Sequence, residues 1–364
     1  MTRAVELAQV ASNGVSEAFK NRLINGQMVI DQRNAGASVS LASSGFTFSA
    51  DRWYVENATD GTATVQQISD APTGFSNSIR YTVTGTDTSL TSDQSAFVQQ
   101  RIEGFNSSDL MFGTANASTI TVSFWVKSSV TGTFGGALAN NAYNRGYPFT
   151  YTISSANTWE QKSVTITGDT TGTWVGATNG IGLRLTFALA AGSARVSTAG
   201  AWAAYVGIGA SGGTNLMATN SATWQITGVQ LEVGSSATSF EYRPYGTELA
   251  LCQRYCMAYR ADASTNFTYF SIGNTMSSTE SRQVFIFKQT MRGLPTVTTS
   301  ATSTFIWDAA GGNVQVTGLS LDRVMTEGGT LIASVASSGL SANQCVRMIQ
   351  NSTNTCFIIF SAEL

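Results

Sequence analysis

The chain of 364 residues has no histidine, four prolines, four cysteines and only 12% charged residues. Without histidine, the Ser-His-Asp and Cys-His arrangements, imidazole proton shuttles and histidine-bearing zinc sites are excluded together. Any catalysis would fall to carboxylates, Lys, Tyr or Cys. Twenty Lys and Arg against 22 acids leave a net charge of −2, so no basic field gathers nucleic acid or an anionic membrane. The four cysteines, Cys252, Cys256, Cys345 and Cys356, contain no Cys-x-x-Cys pair and read as reduced, buried small residues rather than a metal site. The first residues lack an uninterrupted apolar stretch, since Glu6 interrupts it, and no later stretch is long and apolar enough to span a bilayer. Neither nucleic acid nor membrane insertion is expected.

What fills the chain is Ser, Thr, Asn and 35 glycines, with 10% aromatic residues. That mixture describes many short strands joined by tight turns around an apolar core. The length fits two domains. Residues 2–23 carry Ala4, Leu7, Ala8 and Ala11 at helical spacing, with Phe19 and Leu23 extending the edge. This stripe is too weak for a free-standing helix, so residues 1–24 read as an attachment segment that packs on a partner or larger assembly.

Strand signals follow at 28–33, 53–56, 62–68, 79–83, 96–102, 120–128, 149–153, 160–167, 182–188 and 224–233. About ten strands without alternating helices predict an all-β, antiparallel sandwich. Within 120–128, Trp125 is expected in the core, as are Trp53 and Trp159 beside strand starts. Arg243-Pro244-Tyr245-Gly246 opens a turn with proline and closes it with glycine. It divides a domain at 25–246 from a smaller all-β unit at 247–364, read as a second sandwich that begins with a helical turn near Glu248.

Several runs resemble a family of tailed-phage structural proteins described as tail-fibre-like, with a carbohydrate-binding-module-like sandwich. They are Asn25-Gly26-Gln27-Met28-Val29-Ile30-Asp31-Gln32-Arg33-Asn34, Asp51-Arg52-Trp53, Gln100-Arg101-Ile102-Glu103-Gly104 and Ser123-Phe124-Trp125-Val126-Lys127-Ser128. Trp159-Glu160-Gln161-Lys162, the run from Ile226 to Gly246, and Cys252-Gln253-Arg254-Tyr255 continue it, and Phe360-Ser361-Ala362-Glu363-Leu364 is similar to the family's C-termini. The resemblance implies a jelly roll followed by a small β domain in a virion protein, assembled in the bacterial cytoplasm. It further implies a homotrimer, contact with other virion proteins through the N-terminal segment, and recognition of host-surface polysaccharide without catalysis. The rival readings are a capsid decoration or head fibre and a polysaccharide depolymerase.

Sugar sites combine aromatic faces with amides, carboxylates and Arg. The loop residues Tyr143, Tyr147, Trp174, Trp202 and Tyr205, with Asn144 and Arg145, are the candidates. The competing reading has these rings covering the ends of the sandwich or a subunit interface. No cofactor is expected. A structural calcium ion near Glu232 and Glu241 is the alternative, but its six to eight oxygens cannot be assigned. Glycosidic cleavage needs two carboxylates about 5–10 Å apart, and no pattern marks such a pair. Glu103 and Glu160 read instead as partners of Arg101 and Lys162 or as strand-end caps.

Overall fold

The computed structural model describes residues 19–204, 207–261, 268–309, 312–338, 340–351 and 355–364. Two six-stranded sheets face each other across the first unit. One orders its strands Val39–Leu41, Thr62–Ile68, Ser78–Gly85, Thr223–Val233, Ile120–Ser128 and Glu160–Ile166. The other orders Gly45–Phe48, Trp53–Ala58, Ser95–Glu103, Ile181–Ala191, Gly132–Ala139 and Gly146–Ile153, and every pairing in both sheets is antiparallel. The expected sandwich is present.

Successive side chains in a strand point to opposite faces, and the apolar parity decides which face is buried. Ile120, Val122, Phe124 and Val126 go inward from one sheet, and Leu183, Leu185, Phe187 and Leu189 from the other. Phe124 and Phe187 meet edge to face at 4.9 Å, with Tyr151 5.0 Å from Phe124. Trp125 belongs to the opposite parity, with Ser123 and Lys127, and lies half-buried on the outer face. The expectation of a core Trp125 is therefore corrected. Trp53 is fully buried, whereas Trp159 is half-buried on the surface, its indole N–H 3.4 Å from Asp70.

Two other expectations change. Residues 28–31 are irregular and residues 32–33 enter a turn, with Asn25 and Met28 in the left-handed region, instead of a strand. Leu23 and Met28 pack into the sandwich core, while Ile24 and Ile30 pack with Cys252 and Tyr255 of the second unit. The attachment-helix expectation at 1–18 lies outside the described residues, and residues 19–23 are not helical.

The second unit opens with the helix Tyr245–Gln253. Six strands, Tyr269–Thr275, Glu280–Ile286, Gly328–Val335, Gly312–Met325, Phe305–Ala309 and Cys345–Gln350, close into a barrel around Phe305, Trp307 and Leu331. A three-stranded sheet of Cys256–Arg260, Phe357–Ser361 and Thr296–Thr299 packs beside it. The unit is all-β as expected, but its largest sheet closes on itself rather than facing a second. Cys252, Cys256 and Cys356 are buried and Cys345 is exposed.

The runs that carry the family resemblance converge between the two units. Glu103 accepts from Arg254 Nη2 at 2.6 Å and from the Tyr255 hydroxyl at 2.5 Å. Gln32 donates to both the Asp51 carboxylate and the Cys256 carbonyl. Arg33 and Arg52 grip Glu363, and Arg101 donates to the backbone oxygen of Leu364. Apart from Arg101, whose side chain also reaches a cleft on the outer face, these residues build the junction rather than an open site, and Glu103 pairs with Arg254, not Arg101.

Candidate functional site

A cleft of about 370 Å³ lies on the outer face of the sheet containing Ser95–Glu103, lined by Glu56, Ser95, Phe97, Arg101, Tyr143, Arg184, Arg195, Gly207 and Ile208. Strand register sets its floor. Arg101 stands opposite Arg184, Gln99 opposite Thr186 and Phe97 opposite Ala188. On the next strand Tyr54 faces Gln99 and Glu56 faces Phe97. The Tyr54 ring lies 5.9 Å from Phe97 and 5.5 Å from the exposed Phe46, extending an aromatic strip beyond the cleft.

Two loops raise the walls. Asn140 Oδ1 accepts from the backbone N–H groups of Asn144 and Arg145 and folds the 140–145 loop back. This places Tyr143, at φ 53°, over the floor. Gln99 Nε2 donates to the Tyr143 hydroxyl at 3.0 Å and to Thr186 Oγ1 at 2.8 Å, fixing ring and floor together. The opposite wall crosses the sheet at Gly209, where an added Cβ would lie 2.8 Å from that of Ala188. Only glycine permits so close an approach.

The guanidinium of Arg101 lies 4.5 Å from the Tyr54 ring centre, and that of Arg184 lies 4.7 Å from Tyr143. Arg184 donates to Asn141 Oδ1 at 2.8 Å and Gln99 Oε1 at 3.3 Å, while its buried Nε has no partner. Burial lowers the Arg184 pKa, and repulsion from Arg101 works in the same direction against the neighbouring tyrosines. Burial pushes the Tyr54 hydroxyl up, helped by Glu56, which accepts from it at 2.6 Å.

Of the loop residues singled out by sequence, only Tyr143 lines this cleft. Trp174 and Trp202 pack edge to face at 5.5 Å and both meet Phe112, while Tyr147 packs on Trp202 at 5.5 Å. Their indole N–H groups bond inward, Trp174 to Asp169 and Trp202 to the Thr167 carbonyl. Arg145 is engaged bidentately by Asp169, and Asn144 Oδ1 accepts from Asn140. These groups close the edge of the sandwich. Tyr205 lies outside the described residues.

Sequence reading missed Tyr54, Glu56, Phe97, Gln99, Arg101 and Arg184. Their signal was parity: Phe, Gln and Arg occupy the outward positions of strands whose inward positions are Ala96, Val98 and Ile102. Outward Ser and Thr would only be wetted; outward rings and guanidiniums form a surface with recognition chemistry.

Glu232 and Glu241, weighed as calcium ligands, are engaged by protein donors. Glu232 accepts from Gln230 and Thr238, and Glu241 from the backbone N–H groups of Phe19 and Asn21. Glu160 pairs with Lys162 at 2.6 Å. Among the described residues, no three carboxylates or thiols gather as a metal-holding group.

No protein-family model matches the chain, and no curated protein matches it. Solved structures similar to it include the enzymatically active domain of tailspike protein 4 from bacteriophage CBA120. That likeness has 14% identity and a TM-score of 0.30, covering 59% of this chain and 22% of the tailspike. A structure described as CBM4 is 16% identical at TM-score 0.28, covering 58% of this chain and 98% of that one. A family 11 carbohydrate-binding module from Clostridium thermocellum, in complex with a mixed-linked tetrasaccharide, is 11% identical at TM-score 0.28. It covers 51% of this chain and 91% of the module.

Proposed function

We propose that this chain is a non-catalytic glycan-binding protein of a phage particle, a tail fibre or receptor-binding component that takes host-surface polysaccharide in the cleft over Phe97 and Arg101. The observation that carries the binding role is the cleft itself. Phe97 and Tyr143 offer aromatic surface for the apolar faces of pyranose rings, with Tyr54 extending it at the rim, and Arg184 and Glu56 stand beside them for hydroxyls. A space of about 370 Å³ falls within the usual range for small-ligand sites. Among the described residues that line it, Glu56 is the one carboxylate, whereas glycosidic cleavage uses a pair. The phage assignment and the trimer rest on the sequence resemblance.

Calorimetric titration with a panel of oligosaccharides tests the binding role. Tyr143→Ala should weaken binding at least tenfold while leaving the far-UV circular dichroism spectrum unchanged. Equal affinity in that variant would remove the cleft from the site. Labelled antibody against the chain should decorate tail fibres of intact particles in electron micrographs. Unlabelled particles would contradict the virion role.

A further inference from the structure

The cleft concentrates positive charge that the protein does not neutralise. Arg101 and Arg184 are direct cross-strand neighbours, an arrangement that like charges ordinarily disfavour. Arg195 lines the same space, and among the described residues Glu56 is the one acid on its walls. Elsewhere Arg22, Arg33, Arg52, Arg145, Arg243 and Arg254 each meet a carboxylate, while among the described residues Arg80, Arg260, Arg292 and Arg323 do not. Among the described residues, no side-chain carboxylate lies within 4.0 Å of Arg101, Arg184 or Arg195, and Arg101 Nη1 instead donates to the Leu364 oxygen.

The two neighbouring guanidiniums are also pre-positioned. Each is stacked on a tyrosine, and both are braced by Gln99 Oε1, at 3.1 Å from Arg101 Nε and 3.3 Å from Arg184 Nη1. Arg184 is 9% exposed, and its Nε–H is buried without an acceptor. Arg184 Nη1 and Nη2 each spend one N–H, on Gln99 and Asn141, and each keeps a second that matches a carboxylate or sulfate, which accepts two hydrogen bonds.

Resting on the glycan-binding reading, we propose that the cleft selects an anionic sugar, seating its carboxylate or sulfate group against Arg184 and Arg101. The flanking rings hold the pyranose, and Glu56 is left to accept from a hydroxyl. Binding is then steeply salt-dependent, unlike ring stacking on a neutral sugar.

The test titrates the full chain with oligogalacturonate, a carrageenan oligosaccharide and a neutral laminari-oligosaccharide, in about 50 mM and about 500 mM NaCl. At least one anionic probe should bind tenfold or more tighter than the neutral one and lose that advantage in high salt. The carboxylated and sulfated probes distinguish the two sources of the anion. Arg184→Gln should weaken anionic binding at least tenfold more than neutral binding, so that the preference is lost. Arg195→Gln, exposed to less packing change, should reduce the preference in the same direction. Equal or tighter neutral binding overturns the anion selectivity and leaves glycan binding standing. Failure of all three probes overturns both.

Discussion

Replacing Glu363 by glutamine removes the anion that two buried arginines share between the units. The Glu363 side chain is 7% exposed, and those of Arg33 and Arg52 are 16% and 2% exposed. Arg52 lies 3.6 Å from the Tyr255 ring centre and donates to the Arg101 carbonyl at 2.6 Å, so it is held where it is. The amide would offer one acceptor and turn an N–H toward a donor. Removing one partner of a buried pair costs about 3–5 kcal/mol, and water reaching Arg33 places the expected loss near about 3 kcal/mol. Asp51 modulates this figure. Burial raises its pKa to about 7, against the hydrogen bonds of Gln32 and the charge of Arg33, and Glu363 adds a smaller upward push. Without Glu363, Asp51 ionises at lower pH and partly restores the missing charge. The deficit should therefore be larger at pH about 5 than at pH about 8. Urea unfolding followed by tryptophan fluorescence at both pH values measures it. A loss under about 1 kcal/mol at both would refute the ion cluster as the clasp of the junction.

The raised pKa of Asp51 has its own consequence. Stability from the neutral carboxyl is complete below the ordinary value of 3.8 and is lost as pH rises through about 7. That shift of about 3 units corresponds to about 4 kcal/mol. The stability of the native chain minus that of Asp51→Asn should fall across this window, and a flat difference would contradict the assignment. Register predicts that Phe124→Ala costs about 3–5 kcal/mol while Trp125→Ala costs less than about 1.5 kcal/mol. Thermal or urea midpoints in the reverse order would refute the inward parity. Trp202→Ala should lower stability by about 2–3 kcal/mol through lost ring packing, with glycan affinity unchanged within about twofold. A selective loss of affinity in that variant would return the edge cluster to the binding site.

The sandwich was legible because its strands carry strict alternation, and short Gly- and Asn-bearing turns set their spacing. Trp125 shows how one strand can be recognised while its face is misjudged. Ring size drew it to the core, yet Lys127 and Ser123 share its parity and Val122, Phe124 and Val126 do not. The strand Gly132–Ala139 escaped notice because glycine and alanine carry little strand propensity. It forms because it is paired on both sides. Residues 28–33 have the composition of a strand, but packing of Met28 into the sandwich core and of Ile30 against Cys252 and Tyr255 favours an irregular path that leads into a turn.

The candidate site was less legible for a related reason. Loop aromatics attract attention as binding groups, but Trp174 and Trp202 found partners in Phe112 and Tyr147. The cleft instead comes from residues distant in sequence that strand register makes adjacent, such as Arg101 and Arg184. No local motif announces such a pair. The runs on which the sequence resemblance rests were informative about the junction, where Gln32 meets Cys256, Glu103 meets Arg254 and Arg33 meets Glu363.

The most direct test of the central claim is a crystal structure of the chain with the oligosaccharide that binds it tightest. The account predicts a pyranose ring against Tyr54, Phe97 or Tyr143, with its polar groups reaching Glu56 and Arg184. Sugar density on Trp125 and Trp159 of the opposite sheet, or on Trp174 and Trp202 at the sandwich edge, with the cleft empty, would contradict it.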